Sequence, residues 1–545
     1  MYEPNTINTN YNKEENKKKY YIKNIVINLF FIISSIAFAI VTSYSVDNYV
    51  VNHKFTIITV GGMSLIYAAY NNSLIKKFLK NNILIKILSL ISSISICIFY
   101  IEKLKQNIPE KLFTFKITGN YKKLICAILI CSILPFCIEM FSRIYDYLYN
   151  IIKKVWKSET KINKCFFVIT IIILSIVVLI AFLKVNILSS SSNLRNDIIY
   201  TSDNLGLLNN NAWLNVNHLE NDIRQPLFAL FAMPFIAPLY AFEVLSGIDL
   251  PISIVISNII LILASAYFLA DMVEKQNKKT IFFVFYLCTY GPMLFLFMLE
   301  QYSVAVFWLI LLLYMNINKI ENRKLAMVGA TGSLITTGIV FPMIYNKEDK
   351  ISIRIKKIFM TLLFGIFIFL LFGKINMVLT LQEKIEILSK FTGKEVLFID
   401  KFKQYTHFIT NCFVSINAIG ANEIWCIRIL HTINLEGILI LVLSAISFIV
   451  NIKDKLNRIS FYWVIFSFII LCVVGWGTLE NGLILYALYF SWAIVILMYN
   501  LIKQIFNLIN KEKAFYVFIV ILSLILLIYN SYNIIQMLMF LSKIQ

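Results

Sequence analysis

Residues 17–46 read KKKYYIKNIVINLFFIISSIAFAIVTSYSV. The lysines at 17, 18, 19 and 23, with Lys13 ahead of them, stop where an apolar run begins at Ile25 and continues to Val46. A helix over that run is about 33 Å long at 1.5 Å per residue, enough to cross the hydrocarbon of a bilayer. The basic flank predicts an uncleaved first span with its N-terminus in the cytoplasm, because no small-residue cleavage site follows Tyr44 and Ser45. The rest of the 545 residues has the same character: 59% are hydrophobic, 15% aromatic and only 15% charged. Soluble domains are about a quarter charged, so the composition describes a polytopic helical membrane protein. The formal charge of +20 would suggest nucleic acid in a soluble chain. Here the lysines punctuate apolar segments, as cytoplasmic loops do, and nucleic acid is not an expected partner.

Further spans are expected at about 55–72, 83–100, 124–142 and 165–185, with the basic stretches at 76–80 and 143–164 inside. The loop carrying Lys103, Lys105, Lys111, Lys116, Lys122 and Lys123 dissents, since it falls outside. Residues 226–245 contain Pro226, Pro234 and Pro238, and charge balance favours an interfacial or re-entrant helix there rather than a crossing. Spans at 251–271, 281–298 and 301–317 follow. Residues 325–343, with Gly329, Gly332 and Gly338, read as a broken hairpin whose glycines serve helix packing. Residues 356–373, 436–451, 459–475, 483–499 and 514–530 complete a tally of about 13 transmembrane helices in an all-α, polytopic integral membrane fold, with interfacial helices on the outer face. The chain divides into a basic N-terminus at 1–23 and N-terminal helices at 24–164. A central region at 165–375 contains a first outer loop at 186–250. An outer segment with amphipathic pieces at 376–435 precedes C-terminal helices at 436–545.

The polar groups concentrate in that first outer loop, where Arg195, Asp197, Asp203, His218, Glu220, Asp222 and Arg224 follow a span and precede an apolar helix. Carboxylates at an apolar boundary can act as general bases, and arginines can neutralise a leaving phosphate. A solvated polar loop is the plainer reading of the same residues. Glu300 lies between two apolar runs, where an ionised carboxylate is costly unless interfacial or paired. It reads as a second site acid or as an interfacial acid. Glu480 and Asn481 end a later span with Tyr486 and Tyr489 below, lining a cavity or belonging to an aromatic belt. Arg428 and His431 are candidates for phosphate contact, while single lysines of the outer segment read as solvated. Nine cysteines show no ligand spacing. Cys412 and Cys426 share one loop as two free thiols or a bridge, the free thiols being the simpler reading. No metal or other cofactor is expected.

Asp203 in TSDNLG, Arg224 with Pro226-Leu227-Phe228 in RQPLF, and Glu300 in LEQY together resemble the GT-C superfamily of membrane glycosyltransferases. The resemblance covers roughly residues 165–320. It departs at Gln225, where relatives often have His, and at Asn209 and Asn210, where a second acid often follows. It implies an inverting transfer at the outer face from a polyprenyl-phosphate-linked sugar donor to a glycan, lipid or protein acceptor. Asp203 would be the general base, with Asp197 and Asp222 as substitutes. Arg224, His218, Arg195 and Arg428 would contact the donor phosphate, Glu300 would serve as second acid, and Glu480 and Tyr486 would line the cavity. The expected setting is the plasma membrane of a bacterium. A lipid-linked glycan transporter or flippase is the alternative from another class, although it calls for ionisable groups within the spans and these look nearly clear of them. A glycan ligase or polymerase is the third reading.

Overall fold

The computed structural model describes residues 22, 24–41, 53–70, 81–107, 111–112, 115–116, 120–185, 198–200, 202, 204–209, 211–216, 224–246, 250–275, 278–340, 351–371, 381–415, 418–421, 423–428, 432–477 and 483–544. It is a helical protein with two small two-stranded hairpins among the described residues. The N-terminal part consists of α1 (Asn24–Val41), α2 (His53–Tyr70), α3 (Ile83–Asn107), the hairpin β1 (Lys111–Leu112) and β2 (Phe115–Lys116), and α4 (Asn120–Ser158). The central part follows with α5 (Lys161–Lys184), α6 (Asn204–Asn209), α7 (Phe228–Ser246), α8 (Leu250–Val273), α9 (Lys279–Cys288), α10 (Tyr290–Phe295), α11 (Tyr302–Ile317), α12 (Lys324–Ser333) and a 3-10 turn at Ile335–Val340. Then come α13 (Ile351–Leu371), α14 (Leu381–Ser389), α15 (Phe398–Asn411) and the hairpin β3 (Ala418–Ala421) and β4 (Ile424–Ile427). The chain closes with α16 (Leu435–Val450), α17 (Lys455–Ser467), a π-helix at Phe468–Val474, a 3-10 turn at Leu483–Tyr486, α18 (Ala487–Leu508) and α19 (Glu512–Ile544). Seven described helices are long and apolar enough to cross a membrane, and five shorter apolar helices accompany them. That is a smaller count than the thirteen spans expected.

The differences have local causes. The expected span at 124–142 is the first part of α4, a 39-residue helix that continues through the basic stretch to Ser158. At about 58 Å it exceeds the roughly 30 Å hydrocarbon core. The expected span at 281–298 is broken between α9 and α10. Pro292 cannot donate to Cys288 four residues back, so Thr289 turns extended with ψ 151°. The freed Cys288 carbonyl accepts from Asn530 Nδ2 at 2.9 Å, and the amides of Tyr290 and Gly291 donate to the carbonyls of Phe413 and Cys412. The break therefore draws the end of α15 and the middle of α19 to one point.

Of the two readings of α7, interfacial or re-entrant, the exposed interfacial one does not hold, because the helix is buried in protein. From Phe228 to Ala237 its residues are buried apart from Phe235, which is half-buried, and it packs against α3, α8, α11 and α12. Pro238 leaves the Pro234 carbonyl without its helical donor, and Tyr145 Oη supplies one at 2.8 Å. Trp308 Nε1 donates to the Phe231 carbonyl at 3.1 Å. Inside protein such side chains replace the water that lipid cannot provide. The glycines of α12 allow the close packing expected of them. A Cβ at Gly329 would lie 2.7 Å from the Trp308 ring, and one at Gly332 would lie 2.8 Å from Leu227.

The connections expected inside the membrane's basic face meet at one end of the bundle. Lys279 pairs with Glu159 at 3.0 Å and also with Asp271. Glu274 receives Lys503 at 2.7 Å and Tyr499 at 2.7 Å. Lys278 pairs with Glu512 at 2.7 Å, and Asn316 Oδ1 takes both Arg323 and Lys455. At the other end, the Ile198 carbonyl and the Tyr200 amide pair with Trp425. Tyr100 Oη bonds the Leu214 carbonyl and the Val216 amide there. Because Tyr100 shares that end with the first outer loop, the dissenting lysine segment that begins directly after it starts there too. Cys412 and Cys426 are both free thiols.

Burial pushes the Glu159 carboxyl up, but hydrogen bonds from Tyr267, Asn163, Lys279 and the Thr160 amide outweigh it and hold the group below the usual carboxylate range. A depressed carboxyl contributes stability that is present above its unfolded pKa and is lost as pH falls through the folded one. Glu159→Gln is expected to cost about 1–3 kcal/mol at neutral pH. Its thermal midpoint should fall less steeply than that of the wild type as the medium is acidified below about pH 4. Parallel pH profiles from differential scanning of the two purified proteins would contradict the assignment.

Candidate functional site

The sequence of α17 and its continuation builds one wall of the site. Asp454 caps the helix, its side chain accepting from the Asn457 amide. The last seven residues, FIILCVV, run on as a π-helix. Such widened turns occur mostly as single insertions and often at functional sites. Gly475 ends the run in the left-handed region with φ +77°, and Gly477 repeats that conformation with φ +75°. Trp476 lies between them. The turn is fixed from outside by the Gly393 amide donating to the Gly475 carbonyl at 2.9 Å and the Gly477 amide donating to Phe391 at 3.4 Å.

Opposite Trp476 stands Arg224, whose guanidinium carbon is 5.8 Å from the indole ring centroid. The chain leading into α7 is laid along the broken end of α12: the Ile335 amide donates to the Arg224 carbonyl at 2.8 Å, and the Leu227 amide donates to Gly332 at 2.8 Å. Between these walls is a cavity of about 260 Å³. Its polar lining is Arg224, Thr336, Tyr302, Tyr486, Tyr489 and the Trp476 indole. Its apolar lining comes from Leu334, Ile335, Leu388, Phe466, Ile470, Leu471 and Phe490. Tyr302 packs on Tyr486 and Tyr489 with ring centroids 5.7 and 6.3 Å apart, and the Tyr489 and Thr336 hydroxyls are 3.0 Å apart. Among the described residues the buried side-chain oxygens of Gln225, Gln301 and Thr337 have no hydrogen-bond partner, and each residue is next in sequence to a lining residue. Polar atoms left this way call for a ligand or water.

Three of the residues named in the sequence, Arg224, Tyr486 and Tyr489, thus line one cavity. Glu300 is buried at 6% exposure, two residues before Tyr302. Arg428 is exposed at the end of β4 and does not line the cavity. Asp203, Asp197, Asp222, His218, Arg195, Glu480 and His431 lie outside the described residues. His407 is buried and serves the start of α16, contacting the Thr432 carbonyl and the Asn434 amide group.

Sequence reading missed Trp476 and Thr336 altogether. The Gly-Trp-Gly triplet was the available signal, since a large ring between two glycines marks a tight turn with one projecting side chain. It also missed Glu139, which pairs at 2.7 Å inside α4 with Arg143, the first residue of the expected basic stretch, and the two line a second cavity of about 120 Å³ with Tyr67. A mean over the apolar run hides one acid. Glu139 is thus an exception within spans expected to be nearly clear of ionisable groups.

No protein-family model matches the chain, and neither the curated proteins nor the solved structures contain a match. The class of protein that stands on these observations is a helical membrane protein with a polar-headed, aromatic cavity at the end away from its basic connections.

Gly475→Ala is expected to lower the thermal midpoint, because it forces φ +77° on a side chain and puts a Cβ 2.7 Å from Lys401 Cε. The cost should be about 1–3 kcal/mol. Gly62→Ala, with no atom within 4 Å of the added carbon, is the control and should leave the midpoint unchanged or raised. Equal midpoints for the two variants would contradict the account of the turn.

Proposed function

We propose that this protein is a membrane glycosyltransferase that moves a sugar from a polyprenyl-phosphate-linked donor to an acceptor at the outer face of the membrane, with inversion. What carries the reading is the cavity that holds Arg224 against Trp476 among three tyrosines and a threonine, with an apolar side made by Ile335, Leu388, Ile470 and Leu471. Such a cavity suits a ligand with a sugar, a phosphate and a hydrocarbon chain. Aromatic faces stack on sugar rings, a guanidinium binds phosphate oxygens in pairs, and the apolar side accepts the prenyl chain. The sequence resemblance at Asp203, Arg224 and Glu300 supports the same reading. In it Asp203 removes the acceptor hydroxyl proton as the oxygen attacks the anomeric carbon. The bond from that carbon to the carrier phosphate breaks, and the phosphate leaves as an anion toward Arg224. The acceptor is a glycan, a lipid or a protein, and no metal or other cofactor is assigned a role.

The test uses the full chain in lipid nanodiscs with a panel of radiolabelled polyprenyl-phospho-sugars, scoring sugar release and transfer. One member of the panel should support turnover. Asp203→Asn is expected to lower the rate by about 10²–10⁴-fold with the fold intact. Arg224→Met should weaken donor use by at least about tenfold. A folded Asp203→Asn protein that works at the wild-type rate would sink the assignment of the base.

One observation favours transport of a lipid-linked glycan instead: Glu139, within the expected span at 124–142, pairs with Arg143, and both line a cavity of their own. Movement of a lipid-linked glycan across reconstituted vesicles, without any covalent sugar transfer, would decide for that reading. Transfer of a preassembled glycan block would decide for a ligase or polymerase.

A further inference from the structure

Lys401, in the first turn of α15, reads from sequence as one of several solvated lysines on an amphipathic helix. It is buried instead, at 7% exposure. Its hydrogen bond goes to the Val474 carbonyl, at the long distance of 3.5 Å, and among the described residues no carboxylate pairs with it. Lys279, equally buried, has two carboxylates. An ammonium taken from water costs free energy unless an anion or a full set of acceptors completes it, so Lys401 stands ready for a counter-ion that the described residues do not supply.

The location of this charge gives it a use. Lys401 Nζ and Cε lie so close to Gly475 that a Cβ there would be 2.8 and 2.7 Å from them. Val474, whose carbonyl it touches, ends the π-helix whose Ile470 and Leu471 line the cavity. Trp476, one residue beyond Gly475, is the surface on which Arg224 rests. One cation therefore touches the backbone of this turn at Val474 and Gly475, and another touches its Trp476 ring.

We propose that Lys401 and Arg224, both against this turn, form the cationic end of an anion subsite that takes the phosphate ester of a lipid whose chain lies along the apolar side of the cavity. The inference rests on the reading of the cavity as a donor site and adds the residue that completes its phosphate recognition. Arg224 lines the cavity and contacts the phosphate. Lys401 is a positioning residue that acts through its charge from the buried side of the turn's backbone, where water reaches little of it and screening is reduced.

Binding of farnesyl phosphate, farnesol and inorganic phosphate to the full chain in nanodiscs, followed by tryptophan fluorescence, tests this. Farnesyl phosphate should bind about tenfold more tightly than farnesol, with inorganic phosphate a weak competitor. Lys401→Met, with Arg224 still in place, should cut that preference to about threefold and leave the farnesol affinity unchanged, and Lys401→Arg should restore most of it. A Met variant that keeps the full preference overturns the proposal, as does inorganic phosphate binding as tightly as the prenyl ester. Should Lys401→Met fail to fold, Lys401→Gln takes its place under the same criteria. Sugar release, scored on the same preparations, separates this inference from the function it rests on. A Lys401-dependent preference without release from any carrier keeps the subsite and removes the glycosyltransferase. Release by a protein with no preference for the phosphate does the reverse.

Discussion

The pairing of Lys279 with Glu159 and Asp271 is the interaction on which the bundle's basic end depends. Lys279 opens α9, Asp271 ends α8, and Glu159 joins α4 to α5, so one ammonium ties four helices together. The Glu274 cluster extends the tie to α18 and α19 through Lys503, Tyr499 and Tyr516. Buried ions are costly singly, but here the Lys279 ammonium has two carboxylates and Glu159 also accepts from Tyr267, Asn163 and the Thr160 amide, so removing one member strands the others. With that end fixed, the opposite ends of the helices are free to be irregular.

Irregularity at the opposite end is where the cavity lies. The break at Thr289, the broken end of α12 at Leu334 and the π-helix before Gly475 each interrupt a helix, and each sends its freed backbone groups to a partner in another segment. The Asn530 amide group serves Cys288, the Ile335 amide serves Arg224, and the Gly475 carbonyl takes the Gly393 amide. In lipid this exchange is obligatory, since no water can satisfy the groups, so interrupted helices must be packed against other protein. The cavity between Arg224 and Trp476 follows from the same constraint.

The regular part of this design was legible in the sequence. Expected spans at 83–100 and 251–271 correspond to Ile83–Asn107 and Leu250–Val273, which are long enough to cross, and those at 301–317 and 436–451 to the shorter apolar helices Tyr302–Ile317 and Leu435–Val450, because apolar length and flanking lysines are local properties. Basic loops expected on one face do meet, through named ion pairs. What was not legible depended on partners far along the chain. The prolines of α7 looked unfit for burial because Tyr145, which serves the Pro234 carbonyl, is 89 residues away. Lys401 looked solvated because the turn that covers it lies 73 residues on. Of the site, Arg224, Tyr486 and Tyr489 were found from their positions beside apolar runs. Trp476 and Thr336 were not, since nothing in their own neighbourhoods shows that 224, 336 and 476 converge.

The central claim is that the cavity between Arg224 and Trp476 is where a prenyl-phosphate donor binds. The most direct measurement is photo-crosslinking with a diazirine-bearing polyprenyl-phospho-sugar in nanodiscs, followed by peptide mapping. The account expects adducts on residues 334–336 and 470–476 that disappear when unlabelled donor is added. Adducts that resist competition, or that fall on the lining of the Glu139 cavity instead, would contradict it.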